Sequence, residues 1–124
     1  MGCIAVSPGT SESDGLGAAP LRGEVWETHF PPPIGPHPVV ILTSNDLIAR
    51  LSALTAALVT GTPGPLTTHI PIDAAAGVAK YPESWVNVTD LHAVPRSRLR
   101  QRRGRLSPGE LEAVETCLRN VLVL

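Results

Sequence analysis

Four aromatic residues, Trp26, Phe30, Tyr81 and Trp85, are all that this chain of 124 residues contains. A core must therefore be built from Val, Leu, Ile and Ala, and the 43% hydrophobic fraction suffices for one domain of common size. Lysine occurs once, at Lys80, and the formal net charge is −1, so no global basic character points to nucleic acid. Cysteine is limited to Cys3 and Cys117, too far apart and too unpatterned for a disulfide framework; two reduced thiols are expected. No apolar run approaches the length of about 18 residues that a membrane span needs. The opening "MGCIAVS" has Val6 where a myristoylation signal wants Ser or Thr. It also lacks the basic start and apolar stretch of a secretory leader. A cytoplasmic protein is the expectation.

What is present is unevenly spread. Residues 1–20 are rich in Gly, Ser, Ala and Pro without periodicity and are predicted to be a disordered extension, with a single domain over 21–124. "EVWETHF" is predicted as a first strand. "PPPIGPHP" is expected to be a loop, because prolines lack the ladder donor; its PxxP match is read as a rigid loop before a partner motif. The β-branched run "VVILT" predicts a buried strand, followed by a short helix capped by Ser44 or Asn45. "LTAALVT" predicts another buried strand, "THIPID" an edge strand, and "ESWVNVTDLHAV" two short strands.

The C-terminal element has the clearest signals. Ser107 and Glu110 form a capping box and Pro108 occupies the first helical position. Leu111, Val114, Leu118, Val121 and Leu122 fall on one helical face, which should pack on the sheet. Between the strands and this helix lies "RSRLRQRRGR", which holds six of the nine arginines. It can grip RNA phosphates, bind an acidic peptide, or serve as a solvated loop.

"LRGEVWETHF", a proline before "VVILTSND", "ESWVNVTDLHAVPRSRL" and "GRLSPGELEAVETCLRNVLVL" follow one another in this order. This arrangement resembles the PemK/MazF family of toxin endoribonucleases over about 21–124. The resemblance implies a β-rich α+β fold: a small, half-open, twisted β-barrel of SH3-like type with a C-terminal helix, assembled as a homodimer. It also implies cleavage of single-stranded RNA at short motifs without metal or other cofactor. A MazE-like antitoxin with an acidic disordered segment would neutralise the toxin.

Such cleavage requires that the 2′-hydroxyl lose a proton, that the leaving 5′-oxygen gain one, and that phosphorane charge be stabilised. In the family an arginine before the strand-opening proline is a main catalytic group, supported by a threonine at the end of a later strand. Here the threonine corresponds to Thr60, and the arginine position holds His37. Arginine is a permanent cation with a planar donor fork, whereas histidine exchanges protons near neutrality. His37 is therefore the candidate acid–base group, held between Pro36 and Pro38. The same loop lacks the acidic residue that many relatives carry ahead of the arginine.

Ser44, Asn45, Ser84, Asp90, Arg96 and Arg98 are the RNA-contact candidates that the resemblance implies. Asp90 replaces an amide, and a carboxylate cannot donate to a base edge, so sequence preference should differ from that of relatives. His69 and His92 are not at metal-ligand spacing, and no metal site is expected. Trp26 and Trp85 are expected in the core or at an interface before they are expected to stack on bases. Two rival readings stand beside the ribonuclease: a gyrase-binding toxin on the same barrel, and a degenerate binder of antitoxin or RNA that no longer cuts.

Overall fold

The structure is a computed structural model that describes residues 19–73, 76–77 and 83–124. Six strands, β1 (Glu24–His29), β2 (Pro36–Ile41), β3 (Ala53–Thr60), β4 (His69–Ile72), β5 (Ser84–Pro95) and β6 (Leu99–Arg105), form one sheet in the order β4-β5-β3-β2-β1-β6. Every pairing is antiparallel. Among the described residues two α-helices complete the fold, α1 (Asn45–Ile48) and α2 (Pro108–Leu122).

This sheet cannot be flat. β5 and β6 stand four strand positions apart, which is ~19 Å across a flat sheet. The link from Pro95 to Leu99 is a single 3-10 turn, Arg96–Arg98, and that length of chain reaches ~14 Å at most. The sheet therefore curls until its second and sixth strands approach, giving the half-open barrel, with β4 and β6 left as edges. Register shifts opposite Val25/Trp26 and Glu27/Thr28, and another between Ala57 and Leu58, supply the local bends that such curling needs.

The curl divides the apolar residues into two cores. One, with Val25, Val40, Val59, Val86 and Val88, packs beneath Val114 and Cys117 of α2. The other, with Trp26, Val39, Ile41, Leu54, Leu58 and Val94, lies on the opposite face with Ile48 of α1 and the half-buried Phe30. The capping box of α2 is present: the Ser107 hydroxyl accepts from the Glu110 amide at 3.1 Å, and the Glu110 carboxylate accepts from the Ser107 amide at 2.8 Å. Leu111, Leu118 and Val121 pack against the core. Leu122 does not, being 49% exposed; Cys117 fills that face instead.

Three expectations are corrected. The supposed loop ends at Gly35, and Pro36–Pro38 belong to β2, paired with Glu27–His29. "ESWVNVTDLHAV" is one strand, not two. Its register jumps from Asn87, opposite Leu58, to Leu91, opposite Ala57, and the residues between bulge out. Of the arginine-rich stretch, Arg96–Arg98 is the 3-10 turn and Leu99–Arg105 is the edge strand β6, so of its three readings the solvated loop does not hold. Of the expected N-terminal extension, all but Ala19 and Pro20 lies outside the described residues; Pro20 is buried.

Candidate functional site

The geometry around His37 follows from the two prolines that flank it. Leu42 donates its amide to Thr55 of β3 at 2.9 Å. Backbone groups alternate sides along a strand, so Val40 and Pro38 also turn their nitrogens toward β3, while His37 and Val39 face β1. Extending the pairing of Val39 with Leu58 by one residue sets Pro38 opposite Val59. Any other residue would donate an N–H there; proline has none. The His37 ring takes over, its Nε2 donating to the Val59 carbonyl oxygen at 2.7 Å. A carbonyl oxygen only accepts, so Nε2 carries the proton, and Nδ1 is the nitrogen left to gain or lose one.

Residues opposed across a ladder share a face. His37 lies opposite Thr28, and the extended register brings it level with Thr60, which lies opposite Trp85. His37, Thr60 and Trp85 thus stand on one face, at the end of the sheet where the second core gives way to polar groups. Thr60 Oγ1 accepts from the Thr62 amide at 3.0 Å, which leaves its own proton free to donate. Arg98 reaches the same end: its Nη1 donates to the His29 carbonyl at 3.1 Å, and His29 pairs with Pro36. A permanent cation therefore stands beside the hairpin that carries the histidine.

The other candidates are not gathered here. Ser44 and Asn45 lie beyond the opposite end of β2. The Ser44 hydroxyl caps α1 by accepting from the Asp46 amide, and Asn45 Oδ1 accepts from the Arg22 amide. Arg96 belongs with them, its Nη1 donating to the Ile48 carbonyl at 2.5 Å. Ser84 points to the helix-covered face, buried, with no hydrogen-bond partner for its hydroxyl among the described residues. Asp90 stands in the β5 bulge, where Oδ1 is 2.8 Å from His92 Nε2, and the His92 ring tilts against Phe30 with centroids 5.1 Å apart.

The arginine patch is largely engaged within the fold. Arg102 pairs with Glu24 at 2.8 Å and Arg103 with Glu27 at 2.6 Å, while Arg100 donates to the Ser97 carbonyl. Glu24 is a buried junction, accepting also from the Trp26 indole at 3.0 Å and the Leu21 amide at 2.9 Å. Trp26 is core, as expected, at 2% exposure. Trp85 is only half-buried.

A family model described as "PemK-like, MazF-like toxin of type II toxin-antitoxin system" matches residues 21–122. The chain belongs to this family. It is 33% identical over 97 residues, 77% of this chain and 91% of its relative, to a Mycobacterium tuberculosis protein named "Probable endoribonuclease MazF2". Among solved structures it resembles the Mycobacterium tuberculosis toxin MazF-mt6 (25% identity, TM-score 0.72, covering 82% of this chain and 97% of the other). It also resembles MazF of Deinococcus radiodurans (18% identity, TM-score 0.73, covering 86% and 99%), a likeness of fold. The unclosed six-stranded sheet with its C-terminal helix is thus the PemK/MazF fold. Among the described residues, no helix of this family member is long and apolar enough to cross a membrane.

Proposed function

We propose that this PemK/MazF-like toxin is an endoribonuclease. It acts as a cytoplasmic homodimer, cutting single-stranded RNA at a short motif without a metal until a MazE-like antitoxin with an acidic disordered segment covers the site. The name of its Mycobacterium tuberculosis relative supports the activity. The structural neighbours solved as MazE–MazF complexes or with a cognate antitoxin support the partner. The observation that carries the reading is the His37 ring, fixed through Nε2 on the Val59 carbonyl at 2.7 Å, on the same face as Thr60.

In this reading Nδ1 takes the proton of the 2′-hydroxyl as its oxygen bonds to phosphorus. The P–O5′ bond breaks, the 5′-oxygen takes a proton from water, the resulting hydroxide is neutralised by the proton held at Nδ1, and a 2′,3′-cyclic phosphate remains. The Thr60 hydroxyl donates to a non-bridging oxygen, and Arg98, with guanidinium donors beyond the one on His29, offsets the phosphorane charge. Ser44, Asn45, Asp90 and Arg96 contribute indirectly, through the loops and strands their hydrogen bonds hold, and Ser84, on the helix-covered face, is given no contact with RNA.

Purified protein incubated with long unstructured RNA in excess EDTA should give discrete cuts with 5′-hydroxyl and cyclic-phosphate ends. A second reading has its own support: the same His37–Val59 bond completes the ladder, a role that needs no chemistry. Protein that binds RNA or antitoxin yet leaves the RNA intact would establish that binder in place of the enzyme.

A further inference from the structure

Two residues on β5 stand beside Thr60 and have no part in the chemistry just described. Trp85 is directly opposite Thr60, and Asn87 is opposite Leu58 and His69. Two positions apart on one strand, their side chains rise from the same face with Cα atoms ~7 Å apart. Both are half-buried, so each is anchored while part of it meets solvent.

The orientation of the Asn87 amide is fixed by its neighbours. Its Oδ1 accepts from the Thr89 amide at 3.1 Å and from the Thr89 hydroxyl at 2.7 Å. A backbone N–H can only donate, so the oxygen must face Thr89, and the NH2 group must face away with two donor hydrogens that have no partner among the described residues. The bulge of β5 thus holds a donor-only amide next to an indole.

We propose that Trp85 and Asn87 form a base-recognition subsite for single-stranded RNA, resting on the ribonuclease reading for its placement beside Thr60. The indole stacks on one unpaired base, and the Asn87 NH2 donates to that base's carbonyl oxygen. Asparagine reads adenine by using its oxygen and nitrogen together; with Oδ1 held by Thr89, that pairing is closed. Adenine is also the one standard base without a carbonyl oxygen. Adenine leaves the NH2 group only ring nitrogens as acceptors, so the subsite favours uracil, cytosine or guanine over adenine.

The test uses non-cleavable 2′-O-methyl oligonucleotides of uridine, cytidine and adenosine, titrated into the full chain with tryptophan fluorescence as readout. Trp26 is buried and Trp85 is the indole within reach, so binding should quench emission, and Trp85→Phe should abolish the quench. Uridine and cytidine oligomers should bind roughly tenfold tighter than adenosine oligomers, the worth of about one hydrogen bond. Asn87→Ala should bring the ratio near one. Asn87→Asp retains the Thr89 hydrogen bonds and the bulge while removing the donors, and it should also erase the preference. A preference that survives both Asn87 variants, a quench that persists in Trp85→Phe, or no binding to any oligomer would overturn the subsite. Preferential binding as described together with no cleavage of ordinary RNA would instead overturn the ribonuclease reading and leave the subsite standing.

Discussion

His37 and Val59 are joined by a hydrogen bond that replaces a missing rung of the sheet: Nε2 donates to the Val59 carbonyl at 2.7 Å, opposite a proline that has no donor to give. The imidazole is thereby fixed in position and tautomer before any substrate arrives. Such preorganisation is what a proton-transferring group needs.

Removing the ring should reveal its part in the sheet. His37→Ala leaves the Val59 carbonyl unpaired and is expected to cost about 1–3 kcal/mol in urea-induced unfolding. His37→Gln supplies an amide donor at similar reach, and should recover most of that loss. Equal destabilisation by the two would mean that the bond does not support the sheet.

Restoring the rung should free the ring. In Pro38→Ala the backbone N–H can donate to Val59, so His37 no longer has to. Nitrogen chemical shifts of the imidazole should then show a mixture of tautomers at neutral pH, where the parent protein shows Nε2–H alone.

Glu24 is the structural anchor of the β1–β6 edge, bonded to Leu21, Trp26 and Arg102. Glu24→Ala should destabilise the fold by about 1–3 kcal/mol, because it strands the buried Trp26 indole and releases the more exposed Leu21 amide and Arg102 guanidinium. The loss is measured by the shift in the denaturation midpoint. Arg105→Ala, on the exposed end of the same edge strand, should change stability by less than about 0.5 kcal/mol.

Burial raises the Cys117 thiol above its ordinary pKa; the thiol donates to the Thr67 carbonyl at 2.9 Å. The folded state therefore disfavours the thiolate. Its contribution is fully present below the unfolded thiol's pKa and is lost as pH rises through the folded value. The Cys117 contribution should be independent of pH near 7, and unfolding free energy should decline above about pH 9. Cys117→Ala should remove that part of the alkaline slope, as paired titrations of stability would show.

Much of the fold was legible in the chain because local signals agreed with it. The Ser107–Glu110 capping box, the Val39–Thr43 run and the Pro71 edge strand each announce themselves within a few residues. What escaped depends on long-range register. Pro36 and Pro38 argue against pairing until one knows that their nitrogens face β3, where the ladder begins only at Val39. The arginines of β6 look solvated until Glu24 and Glu27 of the neighbouring strand reach Arg102 and Arg103. The site divides the same way. His37 and Thr60 came from resemblance to a family, and the register brings them together; Ser84 alternates to the other face. Asn87 was missed, although its spacing of two from Trp85 on an evident strand was the available signal.

The most direct measurement compares RNA cleavage by the parent protein and by His37→Gln, both shown to be folded, in excess EDTA. Glutamine keeps the hydrogen bond to Val59 but cannot exchange a proton. Discrete cuts by the parent, reduced by roughly 10²–10⁴-fold in His37→Gln, are the predicted result. Equal cutting by both would contradict the account, leaving His37 a rung of the sheet and moving the chemistry to Thr60 and Arg98.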